Sequence, residues 1–316
     1  MSNSKVLVTG GCGYKGSVLV PKLLSAGYDV TVADIQWFGS RLSRHDNLSV
    51  LNKDVRDISV KDLSGIESII HLASVANDPC GDLDPKLTWE ISALGTMQLA
   101  DKAVRAGVSQ FVYASSGSVY GVKEEPEVTE DLELTPISEY NKTKMVAERA
   151  LLSYQDKMKV VSIRPATVCG LSPRMRLDVS VNMLTVQALK NGVITVFGGD
   201  QARPNIHMDD ITDLYLHIVE NSSHYEGIYN AGFENITILD IAKMVTDLVP
   251  ADIQVTASND PRSYRINSDR LLSTGFRPKK KVKDAISEIV DAWKNGTLED
   301  LPEHYNLKWM QEKVIR

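Results

Sequence analysis

Residues 5–16 read KVLVTGGCGYKG, and the prediction of the fold starts from this stretch. Lys5–Val8 predict a short buried strand, glycines occupy four of the next eight positions, and an apolar helical pattern comes after them. A strand, a glycine-rich turn and a helix in this order are typical of folds that bind the phosphates of a dinucleotide. Gly10 permits the sharp turn, Gly13 lets a diphosphate approach backbone amides, and Gly16 lets the helix pack closely on the strand.

An acidic residue stands at the end of the second predicted strand. Tyr28–Ala33 (YDVTVA) predicts that strand, and Asp34 follows it directly. A carboxylate there would accept hydrogen bonds from both hydroxyls of an adenosine ribose, and its charge would repel a 2′-phosphate. We therefore predict NAD rather than NADP as the cofactor. The alternative is an aspartate that only starts a turn.

Composition indicates a folded protein without a general affinity for nucleic acid. Of the 316 residues, 43% are hydrophobic and 24% charged, which is ordinary for a globular protein. A net charge of −6 argues against a nucleic-acid partner. Cys12, Cys80 and Cys169 lack metal-ligand spacing, so we expect reduced thiols and no metal site. Because no N-terminal signal pattern or long apolar run is present, we expect a cytoplasmic protein without a membrane partner.

Hydrophobic patterning predicts strands that alternate with helices. Strands after the first two are expected near residues 48–51, 68–73, 110–115, 159–164 and 194–197. Helices are expected near residues 63–66, 86–106, 139–154, 179–191, 209–220, 237–249 and 284–295. This alternation predicts an α/β fold with a doubly wound parallel sheet of the Rossmann type and a smaller mixed α/β lobe. We expect residues 1–170 to form the NAD-binding domain, to which the chain returns at about 205–232, and residues 171–316 to form mainly the substrate lobe.

Two further stretches carry groups suited to acid–base chemistry. SSGSVYG (residues 115–121) ends a predicted strand, and YNKTK (residues 140–144) begins a predicted helix, so Tyr140 and Lys144 share one helix face. A tyrosine acts as a base near neutral pH only if its pKa is lowered, and a nearby ammonium together with a nicotinamide cation would favour the phenolate. A serine hydroxyl could hold the substrate oxygen while Tyr140 moves the proton and the cofactor takes hydride. The alternative is an exposed Tyr–Lys pair without function.

Together the motifs resemble those of the extended short-chain dehydrogenase/reductase family, the nucleotide-sugar epimerases and dehydratases that are similar to UDP-glucose 4-epimerase. The resemblance covers nearly the whole chain and rests on TGGCGYKG (9–16), Asp34, Asp54, HLAS (71–74), SSGSVYG (115–121), YNKTK (140–144) and RPATVCG (164–170). It implies a bound NAD and a C-terminal lobe that holds a nucleoside-diphosphate sugar. It also implies a homodimer, formed through the helices near residues 86–106 and 140–154.

The resemblance also assigns residues by their position in these motifs. It makes Tyr140 the base, Lys144 the ribose-binding and pKa-lowering lysine, and Ser116 the partner of the substrate hydroxyl. The cofactor contacts that it implies are Gly10, Gly13, Tyr14, Lys15, Gly16, Asp34, Asp54, Val55, Leu72, Ala73, Ser74, Tyr140 and Lys144. The substrate contacts that it implies are Ser116, Thr167, Asn182, Arg203 and Arg262. Arg174 and Arg176 are left either as structural or as site residues, and His207 is expected to pack beside a strand rather than to act in catalysis.

Several positions depart from the family pattern. Dehydratases of the family carry an Asp–Glu pair where this chain has Gly117 and Ser118, so sugar 4,6-dehydration is not expected. Thr167 and Cys169 stand where 4-epimerases have Asn and Tyr-like residues, so the sugar pocket should differ from that of UDP-galactose 4-epimerase. The stretches SPRMRLDVSVN (172–182) and RSYRINSDRL (262–271) resemble a subgroup that includes dehydrogenases of GDP-heptoses in surface polysaccharide synthesis.

These observations lead to one principal hypothesis and two alternatives. The principal hypothesis is an NAD-dependent nucleotide-sugar 4-epimerase that oxidises C4, lets the 4-keto sugar rotate and returns hydride to the opposite face. The first alternative is a one-way C4 dehydrogenase or 4-keto reductase, which would use the same residues without the rotation. The second is a non-catalytic NAD-binding regulator, which the intact Ser116, Tyr140 and Lys144 disfavour.

Overall fold

The computed structural model of the protein describes residues 4–257 and 263–315. The strands in these residues are β1 (Lys5–Thr9), β2 (Asp29–Asp34), β3 (Leu48–Asn52), β4 (Ser68–His71), β5 (Gln110–Ala114), β6 (Lys159–Pro165), β7 (Thr167–Cys169), β8 (Val193–Phe197), β9 (Ala202–His207), β10 (Gly227–Ala231), β11 (Glu234–Thr237) and β12 (Asp252–Thr256). The α-helices are α1 (Gly16–Ser25), α2 (Asp78–Gly81), α3 (Pro85–Trp89), α4 (Gly95–Ala106), α5 (Glu139–Leu152), α6 (Ser180–Asn191), α7 (Met208–Glu220), α8 (Ile238–Thr246), α9 (Asp269–Ser273), α10 (Val282–Lys294) and α11 (Asn306–Lys313).

The larger sheet of the described chain has seven parallel strands in the order β10-β6-β5-β4-β1-β2-β3. Val8 in β1 lies opposite Val32 in β2 and Ile70 in β4, which fixes the register at the centre of the sheet. These side chains are fully buried, because helices cover both faces of the sheet. The predicted Rossmann fold is therefore confirmed. The strand order reverses between β1 and β4, where folds of this class bind their ligands.

The chain leaves this sheet after β6 and comes back to it much later. β9 still belongs to a separate three-stranded sheet, in the order β11-β9-β7. The next helix, α7, packs against α1, and Lys22 on α1 pairs with Asp209 and Asp213 on α7. β10 then adds to the edge of the larger sheet beside β6.

The second lobe has a core of its own. β8 pairs with β12, and helices α6, α8 and α10 pack together on them. The buried apolar side chains of this core include Val181, Ile194, Val196, Ile241 and Ile286. The space between this lobe and the carboxyl ends of the larger sheet's strands forms the site described below.

The structure differs from the predicted elements most in the second half of the chain, where strands β7, β9, β10, β11 and β12 were not predicted. The helix predicted at 86–106 consists of α3, a π-helical turn at Glu90–Leu94 and α4, and it ends at Gly107 with φ of +78° as a left-handed C-cap. The short helix predicted at 63–66 lies earlier, as a 3-10 turn at Val60–Leu63. Within residues 4–257 and 263–315, none of the helices is both long and apolar enough to span a bilayer.

Candidate active site

A cavity of about 480 Å³ lies between the two lobes, at the carboxyl ends of β1, β2, β4, β5 and β6. It brings together most of the predicted site residues, which are scattered along the sequence. Those that line it are Gly10, Gly13, Tyr14, Lys15, Gly16, Asp34, Asp54, Val55, Leu72, Ala73, Ser74, Ser116, Tyr140, Lys144, Thr167 and Arg203.

The glycine turn forms one wall of the cavity. A Cβ on Gly10, which has φ of +69°, would lie 2.7 Å from the backbone nitrogen of Ala73. A Cβ on Gly16 would lie 2.5 Å from Gly11 Cα, so this position holds α1 tightly against the turn. A Cβ on Gly13 would meet only the Gly10 carbonyl, at 3.2 Å. The turn thus leaves room for an anion above the first turn of α1, where backbone amides and the helix dipole favour negative charge.

Two carboxylates mark the next part of the cavity. Asp34 accepts hydrogen bonds from the backbone amides of Cys12 at 2.9 Å and Gln36 at 2.7 Å, which fix its orientation. Burial raises the pKa of Asp34, and these two amides partly offset that effect. Burial also acts on Asp54, but hydrogen bonds from Arg56 outweigh it and lower the pKa of that carboxyl. The Asp34 carboxylate is therefore held in place to accept further hydrogen bonds from a sugar and would oppose a second phosphate.

Tyr140 and Lys144 reach the cavity from the first turns of α5. Ser138 caps this helix by accepting the backbone N–H of Asn141 at 3.2 Å. Lys144 Nζ donates to the carbonyl of Ala114 at 2.7 Å and lies 5.8 Å from the centre of the Tyr140 ring. Burial, and then the charge of Lys15, hold the pKa of Lys144 well below its usual value. The ammonium is thus tied to the end of β5, behind the phenol.

Without the nicotinamide cation on which the predicted lowering depends, the pKa of Tyr140 is raised. Burial raises the pKa of Tyr140 to about 12, and the negative charge of Asp78 adds to this. A hydrogen bond with Ser116 and the charge of Arg176 act in the opposite direction but are weaker. The spacing of Tyr140 and Lys144 could not reveal this, because desolvation of the phenolate depends on the surrounding fold.

Ser118 is a site residue that the sequence interpretation had treated only as the absence of a carboxylate. It lines the cavity, and its Oγ lies 2.7 Å from Ser116 Oγ. The Ser118 hydroxyl also donates to Asn141 Oδ1 on α5. The three polar side chains form a row that ends beside Tyr140. Only the position of Ser118, two residues after Ser116, could have indicated this from the sequence.

The second lobe supplies a different set of contacts from the one predicted. Thr167 and Arg203 line the cavity, but Asn182 does not. Asn182 is fully buried: its Oδ1 accepts the Gly170 amide at 3.0 Å, and its Nδ2 donates to Tyr14 Oη at 2.9 Å. The predicted contact between Asn182 and a diphosphate is therefore corrected, because this amide is already used to fix the turn near residue 170. Arg262 lies outside the described residues.

Two arginines whose role the sequence left open both line the cavity. Arg176 pairs with Asp178 at 2.9 Å. Arg174 donates to Asn306 Oδ1 at 2.6 Å, and its guanidinium carbon lies 3.9 Å from the centre of the Phe38 ring. They make the cavity wall cationic next to the glycine turn. His207, in contrast, is buried away from the cavity and lies 3.1 Å from Glu288, as expected of a packing residue.

Comparison with known proteins identifies the class. The sequence model of the NAD dependent epimerase/dehydratase family matches residues 6–232, and the chain belongs to this family. UDP-glucose 4-epimerase of Lactobacillus helveticus is 27% identical over 322 residues, covering 92% of this chain and 96% of the relative. UDP-glucuronic acid decarboxylase 1 of Danio rerio is 28% identical over 306 residues, covering 90% of this chain and 72% of the relative.

Solved structures agree with this assignment. The UDP-glucose 4-epimerase of Thermus thermophilus in complex with NAD superposes with a TM-score of 0.80 at 26% identity, covering 92% of this chain and 99% of the other. The UDP-glucuronic acid 4-epimerase of Bacillus cereus, in complex with UDP-glucuronic acid and NAD, gives 0.82 at 25% identity, covering 92% and 99%. The protein is an NAD-dependent enzyme of the nucleotide-sugar epimerase/dehydrogenase type.

The residues of the cavity fit NAD. The open Gly13 position suits a diphosphate, and the oriented Asp34 carboxylate suits the two hydroxyls of an unphosphorylated adenosine ribose. When bound, NAD supplies the acceptor and the donor of hydride. The residues of the chain would bind and orient this cofactor in the cavity.

Proposed function

We propose that the protein is an NAD-dependent nucleotide-sugar 4-epimerase that acts through a transient 4-keto sugar, with Tyr140 as the base. The placement of Ser116, Tyr140 and Lys144 on one wall of the cavity, with Lys144 Nζ 5.8 Å from the centre of the Tyr140 ring, carries the proposal. Ser116 would hold the C4 hydroxyl of the sugar while Tyr140 Oη takes its proton. After rotation of the keto sugar, the same phenol would give the proton back.

The phenolate form of Tyr140 needs positive charge in the cavity, because burial opposes ionisation. Lys144 lies behind the ring, and Arg176 lowers the pKa of Tyr140 through its charge. Both cations are held by protein groups, Lys144 by the Ala114 carbonyl and Arg176 by Asp178. They therefore keep their places during the proton transfer and need little reorganisation.

Arg203 is proposed to bind the diphosphate of the sugar nucleotide. It lies on β9 and lines the cavity from the second lobe, as Thr167 does. A guanidinium suits phosphate oxygens because its N–H groups form a planar fork. The nucleotide would then lie in the second lobe and the sugar next to Ser116 and Tyr140.

The geometry at Gly117 argues against sugar 4,6-dehydration, which requires a carboxylic acid at this position in the family. A Cβ on Gly117 would lie 2.6 Å from Ile266 Cδ1 and 3.1 Å from the carbonyl oxygen of Pro165. A side chain as large as aspartate would have to displace the Ile266 side chain and would crowd the Pro165 carbonyl. This agrees with the prediction from the sequence that the enzyme is not a 4,6-dehydratase.

The test is to incubate the purified protein with UDP- and GDP-sugars in turn and to follow the C4 proton by NMR. The proposal expects interconversion of C4 epimers without added NAD and without net NADH. Tyr140→Phe should reduce the rate by about 10²–10⁴-fold while leaving NAD affinity unchanged. Accumulation of keto sugar with stoichiometric NADH would instead identify a one-way C4 dehydrogenase and reject epimerisation.

We also propose a homodimer formed through α4 and α5, by analogy with the family. Leu94 and Met97 are exposed on this side, with 47% and 39% of their surface accessible. Sedimentation analysis should give a dimer for the natural sequence and a monomer for Leu94→Glu/Met97→Glu. A monomer at micromolar concentration before any substitution would contradict the proposal.

A further inference from the structure

Lys15 is a cation in the glycine turn without a described protein partner. It stands between Gly13 and Gly16, directly before α1, and it lines the cavity. Within residues 4–257 and 263–315, its ammonium meets no hydrogen-bond acceptor; its contact is with the face of the Tyr215 ring, 5.9 Å from the centre. Lys15 is partly buried at the cavity wall, and a cation that has lost part of its hydration without gaining an acceptor favours an anionic ligand.

The groups around Lys15 add to this charge and do not neutralise it. Arg176 comes from the segment before α6, Lys144 from α5, and Tyr215 from α7. The nearby Asp178 is engaged by Arg176 at 2.9 and 3.2 Å. Burial raises the pKa of Tyr215 far above neutrality, so its phenol carries no compensating charge. The three cations thus surround a region that suits a ligand with more than one negative charge.

We propose that the Lys15 side chain binds the diphosphate of the dinucleotide and adds a charged ligand to the backbone amides of the glycine turn. The space beside Gly13 is open, since a Cβ there would meet only the Gly10 carbonyl at 3.2 Å, and it adjoins the first turn of α1, where free backbone amides favour an anion. Lys15 belongs to the same turn and lines the same cavity, so an anion at the turn would also attract its ammonium. The substrate also carries a diphosphate, and the experiment below separates the two sources.

Binding of a diphosphate beside Lys15 is coupled to protonation of its side chain. Burial, and then the charge of Arg176, lower the pKa of Lys15 to about 8. A bound diphosphate stabilises the ammonium and raises that pKa, so above pH 8 binding must take up a proton. Dinucleotide affinity should therefore be constant below about pH 7 and fall as the pH rises through 8, by up to about tenfold per pH unit.

The first experiment measures binding to protein freed of nucleotide, by calorimetry at pH 7. Lys15→Met keeps the length and removes the charge, and it should weaken NAD, NADH and ADP-ribose equally, by about ten- to hundredfold. Adenosine and UDP should bind unchanged. Lys86→Met, which removes an exposed lysine of α3, is the matched control and should have no effect on any ligand. If Lys15→Met weakened the binding of UDP alone, Lys15 would belong to the substrate site. An unchanged affinity for ADP-ribose would overturn the proposal.

The second experiment uses the pH dependence and does not rely on the Met variant. The natural protein should take up about one proton per dinucleotide at pH 9, measured in buffers of different ionisation enthalpy. Lys15→Arg should keep tight binding at pH 9 and lose the uptake, because guanidinium does not deprotonate there. Lys144 also titrates below its usual range. An unchanged proton uptake in both Lys15 variants would assign the effect to another group and reject the proposal.

Discussion

Ser118 controls where the proton of Ser116 points. Since the Ser118 hydroxyl donates to Asn141 Oδ1, its oxygen accepts from Ser116 at 2.7 Å. Ser116 lines the cavity with Tyr140 and lowers the pKa of that phenol, so the direction of its hydroxyl matters for the base. Ser118 is thus a positioning residue that fixes the direction of the row.

Ser118→Ala should lower kcat by about tenfold with little change in KM, because one net hydrogen bond of about 1–1.5 kcal/mol is lost where the proton moves. The influence of Ser116 also lowers the pKa of Tyr140. In the variant the acidic limb of the pH–rate profile, along which the rate rises as the base ionises, should therefore move to higher pH. Ser153→Ala, at the exposed end of α5, is the control and should leave both quantities unchanged. A changed KM with an unchanged pH profile would contradict the positioning role.

The position of a single residue at the cavity could be predicted where a local sequence motif determines it. Asp34, Ser116, Tyr140 and Lys144 all reach the cavity, because strand ends and the first turn of α5 carry them there. The side-chain bonds of Asn182 were not predictable, since they depend on the packing of Tyr14 and Gly170, both distant in sequence.

At the scale of elements, one buried ion pair joins β6 to α5. Arg164 Nη2 lies 2.6 Å from Glu148 Oε1, and the two side chains are 3% and 1% exposed. Ser162 Oγ donates to the same carboxylate at 2.7 Å, and Arg164 also donates to Tyr120 Oη. The network fixes the helix that carries Tyr140 against the strand that leads to Thr167.

Arg164→Met should destabilise the protein by about 3–5 kcal/mol, because it leaves Glu148 buried without its cation. Urea unfolding measures the change. The double variant Arg164→Met/Glu148→Leu should recover part of the loss, since no unpaired charge remains. Lys142→Met, which breaks a partly exposed pair with Glu139 on the same helix, should cost less than about 1 kcal/mol. If Arg164→Met and Lys142→Met lowered the free energy of unfolding equally, burial of the Arg164–Glu148 pair would not account for its effect.

His71 links three elements and makes stability depend on pH. Thr96 Oγ1 donates to the Ser92 carbonyl, so the imidazole donates from Nε2 to Thr96 and accepts Thr9 Oγ1 at Nδ1, at 2.6 Å. Burial, and then the charge of Lys144, lower the pKa of His71 to about 3. The folded protein therefore keeps this imidazole neutral, whereas the unfolded chain protonates it below about pH 6.5.

This difference should reduce the free energy of unfolding by about 1.4 kcal/mol per pH unit as the pH falls from 6.5 towards 3. Urea unfolding at pH 7, 5.5 and 4.5 measures the slope for the natural protein and for His71→Gln. Acidic groups contribute alike to both proteins, so the difference between their slopes isolates His71. Parallel slopes would show that His71 is protonated in the folded state.

Long helices and strands with a clear hydrophobic period were easier to predict from the sequence than short ones. β7, with three residues, and β11, with four, owe their structure to pairing with β9 and have no pattern of their own. The π-helical turn at Glu90–Leu94 is similar: Ser92 within it accepts the backbone amide of Val75, a contact set by the tertiary fold.

On the scale of the whole molecule, the C-terminal helix closes the cavity. Trp309 on α11 donates from Nε1 to the carbonyl of Trp37 at 2.7 Å, and Asn306 accepts from Arg174. Trp37, Asn306 and Arg174 all line the cavity. Helix α11 therefore stabilises the part of the cavity wall that also contains Asp34.

Trp309→Phe removes this hydrogen bond, which contributes about 1 kcal/mol. The barrier to NADH dissociation should fall by that amount, so the dissociation rate should rise about fivefold. Stopped-flow fluorescence measures that rate. Trp293→Phe on α10, outside the cavity lining, is the matched control and should leave it unchanged. A Trp309 variant with the natural dissociation rate would show that α11 plays no part in retention.

Six of the seven strands of the larger sheet could be predicted because they alternate with helices through residue 165, whereas its edge strand β10 was not predicted. The C-terminal closure could not, since Trp309 and Trp37 meet only after both lobes have folded, across 272 positions. The wall of the cavity that the larger sheet forms could therefore be predicted, whereas the wall that α11 stabilises depends on long-range packing.

The separation of β6 from β10 also has a consequence during synthesis. The apolar strand β6 ends at Pro165, and its neighbour begins at Gly227, so the ribosome adds roughly 60 residues between them. At about 5–20 residues per second this takes several seconds. During that time the backbone of Val160, Val161 and Ile163 presents an open apolar strand edge, which is prone to pair with other nascent chains. The newborn chain is thus most in need of a chaperone between the completion of β6 and the arrival of β10.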